Sequence, residues 1–568
     1  MHPDKPYTLI GLFVFSILSI LPLLSGFEVL RRAEKTLVRF TESRILSAWV
    51  LFFAVIGFRL LLLPALPVPI PGIHDEFSYL LMSDTFAHGR LTNPTHPMWV
   101  SFETMHVNWN PTYSSMYPPA QGFVLAIGQL TGQPWIGVLL SNAAMCALVV
   151  WMLQAWIPPR WAFLGGVIAA LQLSFATYWM NSYWGGAVAA AGGALVLGAL
   201  GRIRRRARVC DALLLGLGIA LLANSRPYEG FLFCIPSAVY LVWWMSGKIK
   251  TRIEFHAQIR RIFLPLLASI LLLGMFMAYY NWRLTGNPLL LPHVLNTETH
   301  LTAPMFLWQH AKPPLHYRNG QFENFYNTWE RAYYRTTWED ASRVTVEKLN
   351  LLGGLFFWRA ELLLLPFVPF LFRDRKIRLP LAIFFLVTAG MFAVVWGEPH
   401  YAAPLVCVLV LLVVQTMRHL NTMEIKGRRL GAMVVRVIVV ILLVQTAGRA
   451  LNHECDQLER SCMGIPERAE IANQLRNTPG KHLVMVRYTK FHNSHYEWVY
   501  NGAEIDSAKV LWARDIDSSQ NEMLFAYFRD RQIWLVEPDE REREARQLKP
   551  FPRTSEQPAS RSQARIIN

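Results

Sequence analysis

Runs of near-continuous apolar residues recur through the first 450 positions of this 568-residue chain, and they leave few folds open. They lie near 8–27, 46–66, 135–157, 161–179, 184–201, 211–225, 229–246, 262–282, 349–372, 379–396, 401–417 and 430–448. A helix needs about 20 apolar residues to cross a bilayer core, so these runs predict about 12 transmembrane helices. A large soluble enzyme is excluded: 17% of the residues are charged, against about 25% in soluble domains. The first run is read as a span rather than a cleaved signal, because Arg31 and Arg32 follow it with no small-residue cleavage site.

The loops set the orientation. Basic residues cluster at Arg31 to Arg44, Arg202 to Arg208, Lys248 to Arg261, Arg373 to Arg378 and Arg418 to Arg429. Alternating spans put all five clusters on one side, which the positive-inside rule makes cytoplasmic. The net charge of +16 is explained in this way, and no nucleic-acid partner is expected. The opposite side receives loop 67–117, the turns 180–183 and 226–229, loop 283–348, the turn 397–400 and everything after 449.

Residues 451–540 change character. Strands are expected at 481–488, 508–514 and 532–537, and helices at 466–477 and 519–529. The fold class is therefore an all-α polytopic membrane domain over 1–450 with a small C-terminal extracytoplasmic α/β domain. A charged tail, 541–568, is expected to be disordered. Of six cysteines, only Cys455 and Cys462 sit together in a polar segment, where they can pair if it lies outside.

Chemistry-bearing residues collect in the loops on the outer side. Loop 67–117 opens with His74-Asp75-Glu76-Phe77-Ser78-Tyr79, two adjacent carboxylates just beyond a span. There they can act as a general base near a lipid headgroup, or simply cap the following helix. The aromatics Trp99, Trp109, Tyr113 and Tyr117 can anchor at the interface or wall a sugar site. His74, His88, His96 and His106 share the loop, but no pair has a recognised metal-ligand spacing. Arg226, Arg283 and the turn Glu398-Pro399-His400-Tyr401 interrupt or end spans. An Arg at that depth pairs, snorkels or meets an anionic ligand.

Asp75-Glu76 followed by Tyr79 at the start of the first large outer loop resembles the GT-C membrane glycosyltransferases. The resemblance is to the protein O-mannosyltransferase and aminoarabinose-transferase-like group of bacterial membrane proteins. Tyr117-Pro118-Pro119, Arg226-Pro227, Gly286-Asn287-Pro288 and His400-Tyr401 before Pro404 extend it over 46–450. It implies sugar transfer from a polyprenyl-phosphate donor to a hydroxyl of a glycan, lipid or protein acceptor, with inversion, outside the bacterial inner membrane. Asp75 would be the base, with Glu76 beside it. Arg226, or Arg283 or His400, would meet the phosphate. Tyr79, His106, Tyr113, Tyr117 and Tyr401 would line the site. No metal and no other cofactor is expected. This chain carries Tyr117 where relatives can place a basic residue, and His400 where an Arg is expected. The competing readings are a transporter or flippase of a lipid-linked sugar and a non-catalytic envelope assembly protein. Spans with few midplane charges and no internal repeat favour surface chemistry over passage.

Overall fold

The computed structural model describes residues 39–334, 337–356, 361–424, 430–451, 464–539 and 548–552. The expected span at 8–27 and the pair Cys455 and Cys462 lie outside the described residues. Among the described residues, eight helices are long and apolar enough to cross a membrane: Arg44–Leu61, Trp135–Leu153, Ala187–Arg206, Pro227–Lys248, Arg252–Thr285, Arg375–Ala393, Pro399–Asn421 and Leu430–Leu451. The runs expected at 161–179 and 211–225 form the shorter helices Pro159–Leu173 and Val209–Ala223.

Ala187–Arg206 is the central helix, and its sequence explains why. It begins Ala-Val-Ala-Ala-Ala-Gly-Gly, and small side chains let neighbouring backbones approach closely. A Cβ on Gly193 would lie 2.3 Å from the carbonyl oxygen of Pro404, so the turn carrying His400 and Tyr401 packs directly on this helix. By contrast, Arg252–Thr285 is almost entirely unburied and ends at Gly286, in the left-handed conformation that closes helices.

The run 349–372 does not form one helix. The chain is α-helical over Trp338–Phe356 and then winds more tightly over Glu361–Arg373, a stretch containing Pro366 and Pro369. Each proline lacks the N–H that an α-helix interior needs.

Loop 67–117 folds back over the helix ends. Buried Arg59 starts it, donating to the carbonyls of Leu66 (2.8 Å) and Pro67 (3.2 Å) and to the side chain of Asn181 (2.8 Å). The helix His74–Ala87 follows, then a short antiparallel pair, β1 (Val107–Asn108) and β2 (Ser114–Ser115), and the helix Pro119–Gln129.

The C-terminal segment forms the expected helices, Pro466–Asn477 and Ser518–Tyr527, around a four-stranded sheet. Its strands are β3 (Lys481–Val486), β4 (Val510–Arg514), β5 (Arg531–Val536) and β6 (Lys549–Pro550), in the order β4-β3-β5-β6. The first three are parallel, with Leu483 opposite Leu511 and Ile533. β6 runs antiparallel to β5, so part of the tail expected to be disordered is a sheet edge.

Successive strand residues face opposite sides, and both sides are apolar. Val484, Val486 and Trp512 pack under the helix Pro466–Asn477. Leu483, Met485 and Leu511 share one core with Leu81, Phe102, Trp109 and Tyr113 of loop 67–117. The α/β unit is therefore built into the first loop rather than appended to it. The backbones almost touch at Gly72, where an added Cβ would lie 2.8 Å from the Cα of Gly464. Gly72→Ala is expected to destabilise this junction by about 1–3 kcal/mol through overpacking, read as a lower melting temperature in detergent.

Candidate active site

The two adjacent carboxylates separate at the first turn of helix His74–Ala87. Glu76, fully buried, folds back onto the helix start: its carboxylate accepts from the backbone N–H of Gly72 (2.9 Å), Ile73 (3.4 Å) and Tyr183 (3.1 Å). Burial pushes its carboxyl up to about 8, with those backbone bonds pulling it back. Glu76 is thus held by backbone donors, in surroundings that Asp75 does not share.

Asp75 points into a polar cluster. It accepts a hydrogen bond from the Tyr117 hydroxyl. Its Oδ2 lies 3.0 Å from His74 Nδ1 and its Oδ1 3.3 Å from His106 Nδ1. The two Nδ1 atoms are 3.0 Å apart, and His106 Nδ1 is 3.0 Å from the Tyr117 hydroxyl. Burial pushes the Asp75 carboxyl up, but His106 and His74 outweigh it and hold the group well below the usual carboxylate range. Burial, reinforced by His74, holds the His106 imidazole below its ordinary range. The arrangement is an ionised carboxylate oriented by imidazole and phenol groups.

His106 reaches this position through an uncommon backbone. Its φ is +59°, and its carbonyl accepts from Ser78 Oγ (2.7 Å) and from the backbone N–H of Met116 (3.1 Å). Ser78 is one turn beyond His74, so a single helix positions both rings. A left-handed conformation is costly for a non-glycine residue and persists only where the surroundings over-determine it.

Other predicted residues sort by position. Tyr79 stacks on Tyr117 with ring centroids 4.4 Å apart. Arg226, half-buried, lies with its guanidinium 4.2 Å over the Tyr401 ring. Among the described residues no carboxylate lies within ion-pairing distance of it. His400 is fully enclosed, with Nδ1 3.0 Å from the Tyr178 hydroxyl and its ring against Trp184 at 4.8 Å. Tyr113 belongs elsewhere: it stacks on Trp109 and donates to the carbonyl of Asn501 (2.8 Å), inside the core shared with the sheet. Arg283 is exposed, and its guanidinium donates to the Tyr279 hydroxyl of its own helix (3.2 Å).

Residues that the sequence reading missed complete the site. A π-helical stretch, Glu323–Glu330, brings Phe325 to 5.2 Å from His74 and 6.2 Å from His106, ring to ring. His495 of the C-terminal unit lies 5.8 Å from His74 and 4.5 Å from Trp329. The signal for the first group was the aromatic density of Phe322 to Tyr334; nothing in the sequence marks His495. The expectation of no metal rested on the resemblance and on spacing along the chain. In space, His74, Asp75 and His106 each offer one ligand atom, and the three atoms lie within 4.8 Å of one another.

No protein-family model and no curated protein matches the chain. Solved structures do. ArnT from Cupriavidus metallidurans bound to undecaprenyl phosphate is similar over 86% of this chain and 93% of its own, at 12% identity and a TM-score of 0.49. Its apo state matches over the same shares at 13% identity and 0.46. The archaeal oligosaccharyltransferase AglB from Archaeoglobus fulgidus, in complex with an inhibitory peptide and a dolichol-phosphate, matches over 86% of this chain and 69% of its own, at 11% and 0.41.

Proposed function

We propose that this chain transfers a sugar from a polyprenyl-phosphate donor to an acceptor hydroxyl on the extracytoplasmic face of a bacterial inner membrane. The observation that carries the reading is an ionised, oriented carboxylate, Asp75, bonded to Tyr117, whose ring stacks on Tyr79, and a half-buried cation, Arg226, that acts electrostatically on Tyr79 and that no described carboxylate meets at ion-pair distance. A glycosyl phosphate needs both a group to take the acceptor's proton and a cation for the departing phosphate.

In the proposed step the acceptor oxygen attacks the anomeric carbon as Asp75 takes its proton. The bond from that carbon to the phosphate oxygen breaks, the electron pair leaves with the phosphate, and the anomeric centre inverts. Tyr117 and His106 hold the carboxylate in place, and Arg226 offsets the phosphate charge. Exposed Arg283 and enclosed His400 are left out of that role by their surroundings. The sidedness of the basic loops and the order of the sequence motifs support the same reading.

The test is transfer of radiolabelled sugar from a panel of polyprenyl-phosphate donors, hexosyl and pentosyl, in membranes holding the wild-type protein. Arg226→Gln is expected to lower transfer about 100-fold, the usual cost of removing one preorganised electrostatic partner. Label that never leaves the lipid, while the labelled lipid changes leaflet, would instead favour translocation.

A further inference from the structure

We propose that the arginines gathered at the cytoplasmic ends of the helices Arg44–Leu61 and Ala187–Arg206 bind the headgroup of an anionic phospholipid, one with two phosphates foremost. The site is remote from Asp75. The helix Arg44–Leu61 has 18 residues rising about 1.5 Å each, so it sets Arg44 about 27 Å from the start of loop 67–117. The inference does not depend on the function proposed above.

Two parts of the chain supply the charge. Arg202, Arg204, Arg205, Arg206 and Arg208 crowd the end of the central helix, and Arg44 opens a different span. Arg44 repels both Arg202 and Arg205, which also repel each other. Hydrogen bonds hold them together all the same. Gln154 donates to the Arg44 carbonyl (3.0 Å), Arg202 to the carbonyl of Trp151 (2.7 Å) and Arg205 to that of Ala155 (2.6 Å). The guanidinium of Arg202 lies 3.6 Å over the Trp151 ring, and that of Arg204 5.2 Å over Trp156. Asp211 acts electrostatically on Arg202 and Arg208, yet among the described residues no carboxylate lies within ion-pairing distance of any of the six.

The positive-inside rule explains why these residues lie on this side, and the helix dipole favours cations in a last turn. Neither requires like charges from two spans to be fixed against one another. Lysine would satisfy both, but all six are arginine, whose planar fork meets a phosphate through two parallel bonds. The backbone is bent to the same end. Ala207 is left-handed, with φ +34°, which is costly for a residue with a Cβ, and it turns the chain so that Asp211 faces both Arg202 and Arg208. The surface below the charges suits a lipid better than a soluble anion. Val209, Leu213 and Leu217 are exposed and, four residues apart, form one stripe down the helix Val209–Ala223. Ile45, Leu46 and Trp49 are exposed just beyond Arg44. Phosphates held by the arginines would lay their acyl chains on these apolar faces, as lipids do at basic pockets between cytoplasmic helix ends.

The experiment uses the full chain purified in detergent, with lipid binding read by native mass spectrometry and by melting temperature. Cardiolipin is expected to bind at least about 10-fold more tightly than phosphatidylcholine and to raise the melting temperature more, with the margin shrinking as salt is added. The triple variant Arg204→Gln/Arg206→Gln/Arg208→Gln is expected to lose about 100-fold in cardiolipin affinity, about fivefold per arginine. Arg373→Gln/Arg375→Gln/Arg378→Gln removes the same charge from another loop on that side and should bind cardiolipin as wild type does. Equal binding of the two lipids by wild type overturns the proposal, whether or not the triple variant folds. So does an equal loss in both triple variants, which would reduce the effect to net charge. Protection by inorganic phosphate or glycerol phosphate as strong as that by cardiolipin would assign the cluster to a soluble anion and overturn the lipid assignment.

Discussion

Asp75→Asn is expected to reduce sugar transfer by about 10²–10⁴-fold without loss of folded protein. Asn has nearly the same shape, and its amide oxygen can still accept the Tyr117 hydroxyl. What disappears is the negative charge and the capacity to take a proton. The structural cost is small, because an acidic residue near a helix N-terminus contributes only about 0.3–1 kcal/mol. Glu76→Gln should behave in the opposite way. Its two carboxyl oxygens accept from three backbone N–H groups, and an amide NH2, which unlike either oxygen cannot accept, placed against one of them costs about 1–3 kcal/mol. That variant should melt at a lower temperature yet keep its transfer rate per folded molecule. Transfer rate and detergent melting curve, measured side by side for both variants, separate the two roles. Equal transfer by wild type and an equally abundant Asp75→Asn protein would remove Asp75 from the chemistry.

That contrast also marks how far the sequence could be read. Asp75 was legible as a candidate because it stands beyond a span and is followed by Tyr79 and a run of aromatics, although the same position equally suits a helix cap. Its separation from Glu76 was not, since one of Glu76's partners, Tyr183, is 107 residues away. The approach of His106 to His74, 32 residues distant, depends on a left-handed backbone that nothing in the local sequence demands. Two signals were present and under-used. Pro366 and Pro369 inside the run 349–372 argued against one continuous helix. In β3, both Leu483 and Met485 on one side and Val484 and Val486 on the other are apolar, as in strands covered on both faces. A strand of that kind in a small α/β unit needs a second cover, and loop 67–117 provides it.

The second large effect is expected at that cover. Glu497 and Arg514 form an ion pair at 2.8 Å, with both side chains only 3% exposed. Glu497 also accepts from Thr104 (2.8 Å) and Tyr488 (2.8 Å), and Arg514 donates to the carbonyl of Glu103 (2.5 Å). Burial pushes the Glu497 carboxyl up, but Arg514 and the hydrogen bonds outweigh it and hold the group below its ordinary value. A lowered folded-state value means that the native state binds the proton less readily than the unfolded chain. The stabilisation is therefore complete at neutral pH and is lost only as pH falls through the acid range below the usual carboxylate value. Glu497→Ala leaves Arg514 buried and unpaired, at a cost of about 3–5 kcal/mol. Because the pair ties Glu103 and Thr104, just before His106, to the end of β4 and to Glu497, two residues after His495, transfer should fall together with stability. Replacing both partners, Glu497→Met with Arg514→Leu, removes the stranded charge and should recover most of the melting temperature. Transfer should recover less, since the apolar pair restores the packing but not the bonds to Thr104 and Glu103 that set the approach to His106. A single variant that melts as wild type does would show that the loop and the sheet are held together by their apolar core alone.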